Sequence, residues 1–178
     1  GNDAFEASRQ SPANCSGTFT VAALGAGGTL ATYSNFGAYV DISAPGGEVG
    51  AGVWGALDKG TTTPAGPTYG RLAGTSMAAP HLSGVFAIVR GYDPLTPVTE
   101  VYDLLATHLA PFVAAGGSYA CYAGYCGLGV LDAGRLLAAL EARPAPLVEN
   151  SLPISIVTGG TAEGSILVDG AVASDITV

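Results

Sequence analysis

Charged side chains are scarce in this 178-residue chain, where Asp, Glu, Lys and Arg together make up only 11% of the residues. A globular protein usually has about a quarter. Cations are the rarest, because six Lys and Arg stand against fourteen Asp and Glu and leave a net charge of −8. Nucleic-acid phosphates are bound by clustered cations. We therefore expect no nucleic-acid partner.

Long apolar runs are lacking as well, and none approaches the roughly 18–20 residues that cross a bilayer. We therefore expect no membrane span. The chain is nevertheless apolar enough for a core, with 48% hydrophobic residues and a mean hydropathy of +0.41. The sequence begins with Gly1 and not with an initiating Met, and its last residues have the alternating pattern of a strand that is not complete. We expect a piece of a longer protein.

Cysteine is present only three times, an odd number. Cys121 and Cys126 flank a four-residue segment, which is short enough for a disulfide to close a small loop. Cys15 is then left without a partner in this chain. Three free thiols are the alternative interpretation. A zinc site is not expected, because no Cys or His lies at ligand spacing from the pair, and a disulfide would indicate an oxidising compartment.

The order of apolar patterns predicts strands mixed with helices in the first 142 residues. Runs rich in β-forming residues predict buried strands at 18–24 and 39–43 and a hairpin at 53–57 and 68–73. Helical periodicity follows at about 76–90, then after Thr96 as N-cap with Pro97 in the first position, and finally at 133–142. This order predicts an α/β domain.

The composition changes at residues 143–146, Arg-Pro-Ala-Pro, which indicates a linker over 143–150. Short apolar runs at 154–157, 166–168 and 176–178 then alternate with Gly-rich turns. They predict the start of a separate β-rich module over 151–178, too short to bury a core of its own.

Residues 74–81, GTSMAAPH, are the most informative segment of the sequence for a possible reaction. Ser76 follows a strand and a turn and stands at the start of a helix rich in small residues. The N-terminus of a helix offers free N–H groups and a positive dipole end, which favour negative charge developing during acyl transfer. A serine in such a place is also a common N-cap, so position alone does not identify a nucleophile.

The octapeptide resembles the serine motif of the subtilisin-like (subtilase) family, Gly-Thr-Ser-Met-Ala-x-Pro-His, at all seven fixed positions. Competing motifs fail, because the α/β-hydrolase elbow needs Gly where Ala78 stands and the β-lactamase motif needs Lys where Ala79 stands. Further segments resemble the family in order and at sensible spacing over roughly residues 1–142. They are Gly1-Asn2, TVAAL at 20–24, YSNFG at 33–37, VDISAPG at 40–46 and GLGVLDA at 127–133.

The resemblance implies a fold and a set of roles. The fold is a mainly parallel sheet with helices on both faces, of which this chain holds a part. Ser76 is the nucleophile, and Asn2 shares the oxyanion with the Ser76 backbone N–H. Gly74 and Thr75 lie beside the substrate. Ala13 and Asn14 belong to a segment that resembles the wall of the primary specificity pocket.

Neither histidine is placed to activate Ser76. His81 follows five residues later on the same helix, which turns it about 140° away and raises it about 7.5 Å; we expect a structural hydrogen bond. His108 falls near the end of the next helix, where a cation suits the dipole. In this family the chain order is Asp, His, Ser. Both missing groups are expected in an upstream segment, and the chain alone is expected to be inactive.

The resemblance implies a serine endopeptidase that acts on polypeptides and is secreted or extracellular, the cell surface included. No cofactor is required for the chemistry. Calcium commonly stabilises the family, but no ligands and no other metal site can be assigned. A catalytically inactive relative, used for binding or as a structural module, is the alternative. A hydrolase that uses a base within this chain is a third, less favoured reading.

Overall fold

The computed structural model describes residues 1–113 and 117–143, together with the backbone of two strands in the C-terminal stretch. The chain divides into two compact units, Gly1–Arg143 and Pro144–Val178. The predicted linker over 143–150, apart from Arg143, and the predicted strands at 154–157 and 176–178 lie outside the described residues. In the part that the structure describes, no helix is both long and apolar enough to cross a bilayer.

The first unit contains a 3₁₀ turn, four strands and three helices. In chain order they are the 3₁₀ turn Ala7–Arg9, β1 Val21–Leu24, β2 Ile42–Pro45, β3 Val53–Asp58, β4 Pro67–Leu72, α1 Thr75–Tyr92, α2 Val98–Thr107 and α3 Ala133–Glu141. β1 and β2 pair in parallel, with Val21 opposite Ile42, and β3 and β4 form an antiparallel hairpin.

The second unit is described only as a short antiparallel pair, β5 Ile166–Val168 and β6 Ala171–Ala173, with Leu167 opposite Val172. β5 coincides with a predicted strand, whereas β6 was not predicted.

Small side chains let α1 lie close on the β1–β2 pair. Ala23 of β1, Ala44 of β2 and Ala78 of α1 are all completely buried and form one cluster with Ala31. Short side chains on both surfaces allow backbones to approach, and such dense packing fixes their separation. The first turn of α1 is therefore held at the ends of the two parallel strands.

A second apolar cluster joins the three helices to β2. It consists of Ile42, Leu82, Val85, Val89, Val101, Leu105, Leu136 and Leu140. Spacings of three and four residues place these side chains on one face of each helix. The same spacing leaves Ala79, Ser83 and Ala87 of α1 exposed on another face. The fold is thus α/β, with one parallel pair among the described strands; the complete, mainly parallel sheet stays a prediction.

The N-cap of α2 differs from the one predicted from the sequence. The Thr96 hydroxyl donates to Asp93 Oδ2 at 2.8 Å instead of capping α2, and Pro97 takes the cap position without a side-chain hydrogen bond. α3 instead has a side-chain cap, because Asp132 Oδ1 accepts from the Arg135 N–H at 3.0 Å. Predicted and observed helix boundaries otherwise differ by one or two residues, the usual uncertainty of helix ends.

Candidate active site

Ser76 is the second residue of α1 and its side chain is exposed. Gly74 stands before the helix, with its N–H donating to the Gly46 carbonyl at 3.0 Å and its carbonyl accepting from the Met77 N–H at 2.9 Å. The first residues of an α-helix have N–H groups without helical partners. The Met77 N–H is thus already bonded, whereas the Ser76 N–H has no hydrogen-bond partner among the described residues and lies beside the exposed Ser76 hydroxyl.

The turn after β2 packs against the start of α1. A Cβ on Gly46 would lie 2.4 Å from Ala23 Cβ and 2.9 Å from the Gly74 carbonyl oxygen, so only glycine fits. The Tyr33 hydroxyl lies 2.9 Å from the Gly46 carbonyl and 2.7 Å from that of Gly47. Burial, followed by the nearby Glu48 carboxylate, raises the pKa of Tyr33, so the phenol stays protonated and keeps its donor.

Asn2 lies against the residue that precedes Ser76. Its Oδ1 accepts two hydrogen bonds from Thr75, one from the backbone N–H at 2.9 Å and one from the hydroxyl at 2.8 Å. A carboxamide has one acceptor, the oxygen, and one donor group, the NH₂. Because both Thr75 donors bond to Oδ1, the end of the side chain that remains free to donate is Nδ2. Nδ2 lies 3.4 Å from where a Cβ of Gly74 would be. The structure thus brings Asn2, Gly74, Thr75 and Ser76 together.

Backbone hydrogen bonds hold the segment that carries Asn2. The Asp3 N–H donates to Asn35 Oδ1 at 3.0 Å, and the Ala4 N–H donates to the Tyr33 carbonyl at 2.9 Å. A little further on, the Ala7 N–H donates to the Phe36 carbonyl at 2.7 Å. Residues 3–7 are therefore fixed along residues 33–36, which positions the Asn2 carboxamide.

A cavity of about 350 Å³ opens beside Ser76. No charged side chain contributes to its lining, and the apolar part includes Phe19, Val21 and Val40. The complete lining is Gly1, Ala7, Gln10, Ser11, Pro12, Ala13, Thr18, Phe19, Thr20, Val21, Asn35, Val40, Thr75, Ser76 and Ala79. Such a cavity accommodates an uncharged side chain next to the hydroxyl.

The two predicted wall residues are placed differently with respect to Ser76. Ala13 lines both the cavity beside Ser76 and a second cavity of about 380 Å³, whereas Asn14 lines only the second one, together with Asp41. Asn14 Nδ2 donates to the Ser8 carbonyl at 3.0 Å. Burial raises the pKa of Asp41, and the hydrogen bond from the Thr20 N–H offsets part of that rise. The structure does not bring Asn14 into the lining of the Ser76 cavity.

Both histidines are engaged on their own helices. His81 Nδ1 lies 2.7 Å from the Met77 carbonyl oxygen, and His108 Nδ1 lies 2.8 Å from that of Leu104. His108 is the C-cap residue that follows the last residue of α2. Neither imidazole is hydrogen-bonded to Ser76, and among the described residues no side chain is hydrogen-bonded to its hydroxyl.

The three cysteines separate into a pair and a single thiol. Cys121 and Cys126 form a disulfide with their Cα atoms 5.5 Å apart, which confirms the predicted pairing, while Cys15 is free and exposed. Over the described ranges, 1–113 and 117–143, no group of three or more His, Cys, Asp or Glu side chains could hold a metal ion. No calcium ligand is assigned.

Several lining residues were not predicted as part of the site. Phe19 and Val21 were predicted as members of a buried strand, and Asn35 was named only within the segment 33–37 that resembles the family. The sequence has no local signal that these side chains face Ser76, because the cavity forms only when β1 packs under α1. The contact between Asn2 and Thr75 was also missed, although both residues were placed at the site.

Comparison with known proteins identifies the family. The sequence profile described as "Subtilase family" matches residues 1–123. The chain belongs to the subtilase family. Among curated subtilases, it is 41% identical over 136 residues to an extracellular protease of Xanthomonas campestris pv. campestris, covering 75% of this chain and 21% of that protein. It is 43% identical over 117 residues to an extracellular basic protease of Dichelobacter nodosus, covering 63% of this chain and 19% of that one.

A solved structure agrees with this assignment. A protease of Pseudoalteromonas arctica superposes with a TM-score of 0.69 and 34% identity, over 79% of this chain and 41% of that one. This chain therefore corresponds to part of a subtilase domain and spans about a fifth of the length of the curated relatives it matches.

Proposed function

We propose that this chain is the nucleophile-bearing part of a subtilisin-like serine endopeptidase, with Ser76 as nucleophile and Asn2 as an oxyanion donor. The observation that supports this most directly is the double hydrogen bond from Thr75 to Asn2 Oδ1. It brings an oriented amide donor across 73 residues of sequence to the neighbour of an exposed serine.

The reaction follows from that arrangement. Ser76 Oγ attacks the scissile carbonyl carbon while a base removes its proton, and the carbonyl oxygen becomes an anion. The Ser76 N–H and Asn2 Nδ2 stabilise this anion. Collapse breaks the C–N bond, and the amine leaves with the proton from the base. Water then hydrolyses the acyl-serine by the same sequence and restores the hydroxyl.

The base and its orienting carboxylate come from outside this chain. We assign a His and an Asp to an upstream segment of the same protein, which also completes a mainly parallel sheet with helices on both faces. The exposed face of α1 supports this assignment, since Ala79, Ser83 and Ala87 offer a surface of small side chains and Ile88 is 38% exposed. Such faces favour close packing of a second element.

The substrates are polypeptides, and the residue whose carbonyl is attacked places its side chain in the cavity beside Ser76. Ala13, Gly74 and Thr75 contact this part of the substrate, and Asn14 contacts it from the adjoining cavity. The uncharged lining favours an uncharged side chain, because an ion moved there loses hydration without gaining a partner.

The protein acts outside the cell in this proposal. Two relatives are named as extracellular proteases, and a disulfide such as Cys121–Cys126 persists in an oxidising compartment. The chemistry uses no cofactor. Calcium is proposed only as a stabiliser, by family resemblance and without assigned ligands.

Labelling with a fluorophosphonate tests the proposal. The full-length protein is expected to form a covalent adduct at Ser76, and the Ser76→Ala variant is expected to form none. Mass spectrometry of the labelled peptide identifies the modified residue. A folded full-length protein that stays unlabelled would instead be an inactive relative used for binding or structure.

A further inference from the structure

One face of the β3–β4 hairpin presents two aromatic rings and a cation to solvent. Trp54 lies opposite Arg71, and Ala56 lies opposite Tyr69, and residues directly opposite each other share a face of the sheet. Trp54 is 63% exposed, Tyr69 is 78% exposed, and Arg71 is exposed too. We call the surface formed by Trp54, Tyr69 and Arg71 the hairpin face.

The guanidinium of Arg71 is stacked but has no carboxylate partner in the described part of the chain. Its Cζ lies 4.8 Å from the centroid of the Trp54 ring, a cation–π contact. Arg135 and Arg143, by contrast, are paired with Asp132 and Glu100. Stacking restrains the guanidinium plane and leaves its N–H edges free. In an acidic protein, this cation is open to a carboxylate from outside.

The hairpin face lies close to Ser76 along the chain. Five residue steps separate Arg71 from Ser76, and a chain of that length reaches at most about 18 Å between its Cα atoms. An extended peptide advances about 3.3 Å per residue. Arg71 is therefore within reach of a substrate residue about five positions or fewer from the bond to be cleaved, if the peptide runs from Ser76 toward the hairpin.

We propose that the hairpin face binds an acidic side chain of the polypeptide substrate within five residues of the scissile bond. This rests on the endopeptidase function proposed above. The Glu or Asp carboxylate accepts two parallel hydrogen bonds from the guanidinium edge, the strongest geometry that an arginine offers. Because the face is open to water, the preference is modest, about two- to fivefold in affinity.

Peptide binding to the full-length protein tests the site. The Ser76→Ala variant is used so that no peptide is cleaved. The peptides are decapeptides that are uncharged except at one position, which carries Glu in one peptide and Gln in its partner, and the position is moved along the series. Fluorescence anisotropy gives the Kd of each peptide. At one position or more, the Glu peptide is expected to bind about two- to fivefold tighter than the Gln peptide in 50 mM NaCl, with a smaller ratio in 500 mM NaCl. Arg71→Gln should bring the ratio close to one, and Arg71→Glu should favour Lys at the same position.

Lys59→Gln is the matched control, because it removes one positive charge from an exposed residue that directly follows β3. It is expected to keep the Glu preference. The proposal is overturned if no position discriminates, if Arg71→Gln keeps the ratio, or if Lys59→Gln loses it equally, since net charge would then explain the effect. A Glu preference in a protein whose Ser76 resists fluorophosphonate would sustain the hairpin face and contradict the endopeptidase.

Discussion

The Asn2 carboxamide is fixed from one side only. Thr75 occupies Oδ1 with two donors, and this leaves Nδ2 as the end that can donate to a substrate. At the scale of residues, the proposed mechanism gives the two side chains different roles: Thr75 orients Asn2, and Asn2 donates to the anion formed at Ser76. Kinetics can separate these roles, because in that mechanism Asn2, and not Thr75, contacts the reacting oxygen.

Replacing Asn2 by Leu is expected to lower kcat by about 10²–10³ with little change in KM; that magnitude was measured for a side-chain oxyanion donor in subtilisin, a member of the same family. The reason is that the donor acts on a charge present only in the transition state. Steady-state kinetics of the full-length enzyme measure the effect. An equal rise in KM would argue for ordinary substrate binding, and an unchanged melting temperature shows that the fold is intact.

Replacing Thr75 by Val removes one of the two bonds to Asn2 Oδ1 and keeps the backbone one. We expect kcat to fall about five- to tenfold, the equivalent of one hydrogen bond. Thr75→Ser retains the hydroxyl and should recover most of the activity. If Val and Ser behave alike, the hydroxyl has no part in orienting Asn2.

At the scale of elements, the close approach of α1 to the β1–β2 pair decides where Ser76 lies. This approach depends on Gly46 as well as on the buried alanines, since no Cβ fits between Ala23 and the Gly74 carbonyl. The helix start would have to move if that space were filled. Stability and activity should therefore change together when this turn is altered.

Gly46→Ala is expected to destabilise the protein by about 1–3 kcal/mol, as overpacking does in a dense core, and to reduce turnover as well because the start of α1 shifts. Gly27→Ala is the control, since nothing lies within 4 Å of a Cβ there. Urea unfolding and kinetics measure both. A fully stable and active Gly46→Ala variant would contradict the tight contact.

The junction between α1 and α2 should be sensitive to acid. The Thr96 hydroxyl first, and then the Leu95 N–H, lower the pKa of Asp93 below its usual 3.8. A lowered carboxyl pKa contributes stability above the usual value, and that stability is lost as the pH falls through the folded value. Asp93→Asn should therefore lower the melting temperature at pH 7, with the difference closing in strong acid.

Asp103→Asn is the comparison for that experiment, because Asp103 is exposed on α2 and its side chain makes no hydrogen bond in the described part of the chain. It should leave the melting temperature nearly unchanged across the same pH range. A gap between Asp93→Asn and the parent that persists at pH 2 would show that charge is not the cause.

Motif and period predicted much of this unit from sequence. The hairpin and the three helices follow from periodicity and Gly/Pro punctuation, whereas parallel strands were expected only from the family resemblance; the serine motif indicated Ser76, whose role as nucleophile stays a prediction. The shortened start of β1 did not follow, because the Thr20 N–H donates to the side chain of Asp41, a partner 21 residues away that leaves no local pattern. The cap of α2 was missed for a local reason, since the Thr96 hydroxyl has two possible partners and donates to Asp93, three residues earlier.

At the scale of the whole molecule, the chain corresponds to part of a subtilase domain. α1 has one face packed on the strands and another exposed, and neither His81 nor His108 is hydrogen-bonded to Ser76. In the proposed function, one upstream segment covers the exposed face of α1 and also supplies the base. The hairpin face is proposed to add a substrate contact beyond the reacting residues.

The 178-residue chain expressed alone is expected to be unreactive toward a fluorophosphonate, because no base activates Ser76. Co-expression with the upstream segment of the same protein should restore labelling, with the Ser76→Ala chain as the blank. Gel fluorescence measures the adduct. Strong labelling of the isolated chain at Ser76 would mean that a base within it has been overlooked.

Asn2 and Thr75 lie 73 residues apart in sequence, and the segment that carries Asn2 is hydrogen-bonded along residues 33–36. Contacts between such distant residues require a long loop to close, which slows their formation. In the proposed function, a partly folded copy would hold Ser76 in its helix without the Asn2 donor beside it. We therefore expect cleavage to begin only once this long-range contact has formed, which would limit attack on partly folded copies of the same chain.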